Sequence, residues 1–184
     1  MRGLHSRFCT QKVFSVFDCL NAGGHRIGGV CFKPTDSRRS WVEAYQQCQL
    51  KAPTGYSGRL AVVSTNHQFR WLQRWALDTN DHSWLGVKAV SKSSNSYVAS
   101  DFEYYPTDPY TPGDTTATTP FPGAATLQLD QIATPGMACV AIHNGDGKIK
   151  DFNCLNDEDF ICEFTSCPSC TIDPFCKLVL QSLC

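Results

Sequence analysis

The 184-residue chain has no Asn-x-Ser/Thr acceptor site and no surplus of either charge. It also has no run of about 20 apolar residues, the length needed to cross a bilayer as a helix. The first absence removes N-glycosylation from consideration, and the last removes a transmembrane helix and membrane insertion. Sixteen Lys and Arg against seventeen Asp and Glu give a net charge of −1. That balance offers no electrostatic footprint for nucleic acid or for an anionic membrane surface. No Gly-x-Ser-x-Gly, phosphate-binding loop or dinucleotide fingerprint occurs. The five histidines, His5, His25, His67, His82 and His143, show no metal-ligand spacing. The carboxylates Asp157-Glu158-Asp159 read as a solvated turn. Nothing here points to catalysis, and the expectation is a non-enzyme. Met1 to Arg7 is followed by no apolar run long enough for a secretory h-region, so the chain reads as a mature form or as one domain of a larger protein.

Cysteine is abundant instead. Eleven cysteines in one chain are too many for a reducing cytosol and indicate a disulfide-bonded, secreted or extracellular protein. The count is odd, so at least one cysteine is free or pairs with another chain. The length suits one domain with appendages, and a hydrophobic share of 42% suffices for one core. From Cys19 to Cys31 runs a glycine-rich hairpin, with Gly23-Gly24 and then Gly28-Gly29. Ser40 caps a predicted helix over about 41–51, in which Trp41, Ala44, Tyr45 and Cys48 share one face. Ser57-Gly58 reads as a break and Leu60-Ala61-Val62-Val63 as a short buried strand. A second helix follows Ser64-Thr65-Asn66, with Phe69, Leu72 and Ala76 on one face and Trp71 and Trp75 beside them. Ser83 to Val87 reads as a strand. Residues 91–136 then lose helical and strand periodicity and become rich in Pro, Thr, Gly and Ser. Regular pattern returns at Cys139-Val140-Ala141-Ile142, followed by a turn at Asn144-Gly145-Asp146-Gly147 and a closing strand, Phe160 to Phe164.

Five motifs in this order carry a resemblance. They are Ser40-Trp41-Val42-Glu43-Ala44-Tyr45-Gln46-Gln47-Cys48, Gly58-Arg59-Leu60-Ala61, Trp84-Leu85-Gly86, Cys139-Val140-Ala141-Ile142 and Phe160-Ile161-Cys162-Glu163. Together they resemble a C-type lectin-like domain of the long form, over residues 19–164. The resemblance implies an α+β fold: two helices flanking two small antiparallel sheets, with a long irregular loop region above. It implies three core disulfides, Cys19 with Cys31, Cys48 with Cys162, and Cys139 with Cys154. Residues 1–18 become an N-terminal extension and 165–184 a cysteine-rich tail.

Sugar-binding members of this family hold a calcium ion through five residues. Two come from a Glu-Pro-Asn or Gln-Pro-Asp triplet in the long loop. One is a Glu two residues before the cysteine of the later hairpin, and two are the Asn-Asp of a Trp-Asn-Asp triplet. Calcium is a hard cation that takes oxygen ligands. Here neither loop triplet occurs, Met137 stands two residues before Cys139, and Ile149-Lys150-Asp151 replaces Trp-Asn-Asp. Only Asp151 survives as a ligand. Lys150 is expected to be an exposed strand residue paired with Asp151 or Asp146. No cofactor is therefore expected at the family's sugar site, and calcium elsewhere, through Asp101, Glu103 or Asp108, has no motif behind it. The turn after Ile142 matches an EF-hand loop at Asn144, Asp146, Gly147 and Ile149, but it lacks the first Asp and the closing Glu, so a hairpin turn accounts for it.

Cys9, Cys167, Cys170, Cys176 and Cys184 cannot all pair within one chain. Tail disulfides, one of them intermolecular, fit better than a zinc ribbon, which favours two close pairs. Thr115 to Pro120 reads as a plain flexible loop rather than an O-glycosylated patch. Tyr104, Tyr105, Tyr110 and Phe121, with Phe102, stand out in a polar loop. They form either a small loop core, the favoured reading, or a contact surface, since tyrosines are common interface anchors. The sequence thus predicts a calcium-independent recognition module for an extracellular protein or glycoprotein. Its binding residues would be Lys150, Asp151, Tyr104, Tyr105, Tyr110 and Phe121. One alternative is carbohydrate binding, a glycan held by a non-standard surface. The other is a structural subunit of a disulfide-linked matrix, coat or fibre, a homo- or hetero-oligomer.

Overall fold

The computed structural model describes residues 16–53, 56–63, 65–77, 82–89, 98, 101–104, 127–129, 137–143 and 146–166. Three helices and nine strands follow in chain order: α1 (Val16–Asn21), β1 (His25–Ile27), β2 (Val30–Arg39), α2 (Trp41–Leu50), β3 (Tyr56–Leu60), α3 (Asn66–Leu77), β4 (Ser83–Ala89), β5 (Phe102–Tyr104), β6 (Leu127–Gln128), β7 (Ala138–Ile142), β8 (Ile149–Asn153) and β9 (Glu158–Ser166). The fold is α+β. Two antiparallel groups, β1-β2-β9 with β3, and β4-β7-β8 with β5, are joined where β4 and β9 run parallel at Ser83–Asp159 and Trp84–Phe160. The same fusion makes one continuous network out of the two expected sheets.

Local chemistry explains the elements. Gly28 and Gly29 both take positive φ, +59° and +86°, as a two-residue turn between antiparallel strands requires. At the start of α2 the Glu43 carboxylate accepts hydrogen bonds from the Ser40 N–H at 3.2 Å and the Ser40 hydroxyl at 2.7 Å. These bonds hold the Glu43 carboxyl below its ordinary pKa. Helix α3 opens on a reciprocal pair, in which the Thr65 N–H donates to Gln68 Oε1 and the Gln68 N–H to Thr65 Oγ1. Two of the amides at the helix start gain acceptors this way.

Two apolar clusters fill the interior. One gathers Trp41, Ala44, Tyr45, Cys48, Leu60, Trp84, Ala141 and Phe160 around the three disulfides, Cys19–Cys31, Cys48–Cys162 and Cys139–Cys154. The other gathers Phe32, Val63, Leu72, Leu85, Val87, Phe102, Val140, Ile142 and Ile149, with Phe69, Trp71, Trp75, Leu127 and Leu129 against it. The strands of β4 and β7 alternate between the two, as their two-residue period requires. Trp41 and Trp84 clasp each other's chain. The Trp41 Nε1–H donates to the Leu85 carbonyl at 2.8 Å and the Trp84 Nε1–H to the Arg39 carbonyl at 2.8 Å.

Three expectations change. Ser57-Gly58 is not a break but the middle of β3, while Ala61 and Val63 are buried and Val62 half-buried, without a strand ladder. The run Leu60 to Val63 is apolar because it crosses the core. Gly58 is needed because β3 lies against the end of α2: a Cβ there would overlap the Cys48 carbonyl oxygen. Within 91–136, short strands do form: β5 pairs with β4, and β6 lies parallel to β8. The Asp157–Asp159 stretch is not a solvated turn. Glu158 opens β9, is 6% exposed, and meets Arg38 Nη2 at 3.4 Å.

Gly58→Ala is expected to destabilise the domain by more than the about 1–3 kcal/mol of ordinary overpacking, because backbone, not a flexible side chain, blocks the added methyl. Urea denaturation measures this, and a midpoint within error of the parent would contradict it.

Candidate functional site

Strands β7 and β8 form the hairpin on which the resemblance places the family's calcium and sugar residues. Its far end is tied by Cys139–Cys154 and by the Cys154 N–H donating to the Met137 carbonyl at 2.8 Å. In the register, Val140 faces Asp151, Ala141 faces Lys150 and Ile142 faces Ile149. Neighbouring residues of a strand point to opposite faces. Asp151 therefore shares a face with Val140 and Ile149, where it is 1% exposed. Lys150 shares the other face with Ala141 and Phe152. The two residues predicted to act together are adjacent in sequence and divided by the sheet. The outer edge of β8 is covered by β6, where Leu127 and Gln128 pair with Ile149 and Lys150.

Lys150 is not the exposed residue expected. Its side chain is 14% exposed, and its Nζ lies 3.8 Å from Asp146 Oδ2. Asp146 is one of its two predicted partners. Asp146 is a hub: its Oδ2 is also 3.7 Å from Lys148 Nζ, and its Oδ1 accepts from the Lys148 N–H at 2.9 Å and lies 2.9 Å from His143 Nδ1. Slight burial raises the Asp146 carboxyl, but the Lys148 amide, His143 and Lys150 outweigh it and hold the group below the usual carboxylate range. The His143 ring is 4.7 Å, centre to centre, from that of His82, which also touches Phe152 at 4.6 Å and Glu158 Oε2 at 3.5 Å. Burial pushes the His82 imidazole below its ordinary value, with Glu158 opposing and His143 and Lys150 adding to the fall.

Of the aromatic binding candidates, only Tyr104 lies among the described residues. Tyr104 lies in β5, opposite Val87. Strands β4 and β7 separate it from β8, three strand spacings or about 14 Å. Phe102 is buried in the core beside Val87 and Ile149. Tyr105, Tyr110 and Phe121 lie outside the described residues, as do Asp108, Cys9, Cys167, Cys170, Cys176 and Cys184. Asp101 is 8% exposed and its carboxylate accepts the Val98 N–H at 2.8 Å, closing a local turn.

A family model, the C-type lectin domain, matches residues 37–164. The chain belongs to this family. Among solved structures, CEL-IV matches with a TM-score of 0.57 at 15% identity, over 81% of this chain and 96% of that one. The Ca2+-independent C-type lectin SPL-2 from Saxidomus purpuratus gives a TM-score of 0.54 at 15% identity, over 80% and 94%. Human lithostathine gives 0.54 at 19% identity, over 78% and 98%. At these identities the likeness is one of fold. No curated protein matches the chain in sequence. C-type lectin domains are in general extracellular binding modules rather than enzymes. No described helix of this one is long and apolar enough to cross a membrane.

In this C-type lectin domain the cluster His82, His143, Asp146 and Glu158 escapes any reading of the sequence. His82 precedes β4, His143 follows β7 and Glu158 opens β9, so only the assembled sheet brings them together. The one local signal is the Asn-Gly-Asp-Gly turn, which predicts a hairpin and hence that His143 lies beside Asp146.

Proposed function

We propose that this domain is a secreted recognition module that binds a protein or glycoprotein partner without the family's sugar-coordinating calcium. The observation that carries this reading is Lys150. At the position where sugar-binding relatives supply a carboxamide oxygen, this chain places an ammonium group held by Asp146 at 3.8 Å. Met137, where a glutamate would stand, offers a thioether, and its backbone carbonyl is already taken by the Cys154 N–H. These residues do not fit a hard cation that demands six to eight oxygens. The partner surface in this reading is the long loop around 100–136, with Lys150 at its flank.

Calcium titration tests it. Extracellular calcium modules bind with dissociation constants of about 0.1–1 mM. A site of about 0.1 mM would add roughly 2.7 kcal/mol of stability at about 10 mM calcium, several degrees in Tm for a chain of this size. The expected shift is none by scanning calorimetry, with no spot on a glycan array lost on adding EDTA. A rise of several degrees, or EDTA-sensitive glycan binding, would overturn the proposal.

A further inference from the structure

His82 and His143 lie ring to ring, each with its Nδ1 near a carboxylate oxygen. Asp146 Oδ1 can only accept a hydrogen bond, so at 2.9 Å the His143 Nδ1 donates to it, and in the neutral ring the lone pair is then on Nε2. Glu158 Oε2, at 3.5 Å from His82 Nδ1, favours the same tautomer there. Among the described residues neither Nε2 has a protein partner, and each imidazole side chain remains about a third exposed, 30% and 31%. Metal-binding histidines almost always donate their second nitrogen to a carboxylate or carbonyl in this way, which fixes the ring and raises its basicity. Spacing agrees as well. At a metal–nitrogen distance of about 2.0–2.1 Å, two rings sharing one ion have centres roughly 4.5–5.2 Å apart for angles of about 90–110° at the ion. The observed separation is 4.7 Å.

We propose that His82 and His143 together bind one borderline divalent ion of the Zn2+ or Cu2+ kind through their Nε2 atoms, with Asp146 and Glu158 orienting the rings. Imidazole suits these ions and not calcium. Among the described residues no group of three or more His, Cys, Asp or Glu side chains forms a metal site. The pair therefore supplies two ligands, and water or a group on the binding partner fills the rest. The surrounding charge is mixed. Lys148 and Lys150 approach Asp146, and Arg38 meets Glu158. The lysines weaken the seat, and the two carboxylates offset them.

Isothermal titration of the intact, iodoacetamide-treated chain with ZnCl2, and separately with CuCl2, tests the assignment. Alkylation removes free thiols as competitors. The expected result is one ion per chain, with affinity falling at least about tenfold in His82→Gln and in His143→Gln and about 10–100-fold in Asp146→Asn. His25→Gln and His67→Gln should leave it unchanged, and Lys150→Met should tighten it. Imidazole nitrogen NMR on the parent chain gives an independent readout, with both Nε2 resonances shifting together on adding Zn2+. Binding that survives in the His82→Gln/His143→Gln double variant, binding lost on replacing His25 or His67, or no binding at all would each overturn the proposal.

Discussion

Replacing Cys48 and Cys162 together by alanine is expected to remove on the order of 4–5 kcal/mol of stability, a large part of what a domain of this size has. The bond closes a loop with a sequence separation of 114 and joins α2 to β9, the strand between β2 and β3. Its main effect is on the unfolded chain, in which it keeps residues 48 and 162 together. Both sulfurs are fully buried beside Leu60 and Phe160, so the alanines also leave a small void. Guanidinium denaturation of the double variant measures the loss. A midpoint close to that of the parent would show that the remaining contacts hold α2 to β9 without the bond. The Cys19–Cys31 bond, with a separation of 12, closes a far shorter loop and contributes less by the same logic.

Trp41→Ala is expected to cost about 3–5 kcal/mol from the cavity alone. The indole is fully buried, stacks on Tyr45 at a ring separation of 5.8 Å, and donates to the Leu85 carbonyl. Truncation also leaves that carbonyl without its indole donor in a dry interior, a further cost of about 1–3 kcal/mol. Trp41→Phe keeps most of the volume and separates the two effects. Because Trp84 returns the same kind of bond to Arg39, the clasp predicts coupling. In a double-mutant cycle of Trp41→Phe and Trp84→Phe, the two losses should differ from additivity by roughly 0.5–3 kcal/mol. Strict additivity would mean that the two indole bonds act independently.

The cysteines and tryptophans made the fold legible before any coordinates. Ser40, Trp41, Ala44, Tyr45 and Cys48 read as a capped helix with one buried face, and they form one. Trp84-Leu85-Gly86 and the last cysteine strand lie where their apolar runs imply. The misreadings share a cause. Leu60 ends β3, but Ala61 to Val63 are apolar because they pack on the core, and packing without a ladder has the same pattern as a strand. Gly58 reads as a break because glycine is rare in strands, yet here it lets β3 pass under the Cys48 carbonyl. Short strands such as β5 and β6 have too few residues for a period to show, and they form because β4 and β8 offer edges. At the candidate site, the replaced ligands Met137 and Lys150 were legible from the register of the cysteines. The imidazole pair was not, because nothing local in the chain brings His82 to His143.

Strand β9 pairs with β2 along one edge and with β3 and β4 along the other, yet it comes last in the order of described elements. A ribosome delivers the chain from its N-terminus, so during synthesis the two edges that β9 will occupy stand apart with nothing between them. The N-terminal two-thirds cannot mature early as a stable intermediate. If the domain is secreted, as proposed above, the oxidising machinery receives a still-open chain, and Cys48 has to wait for Cys162 to emerge. Early closure with Cys31 or Cys139 would be the characteristic folding error of this architecture, one that a disulfide isomerase has to undo.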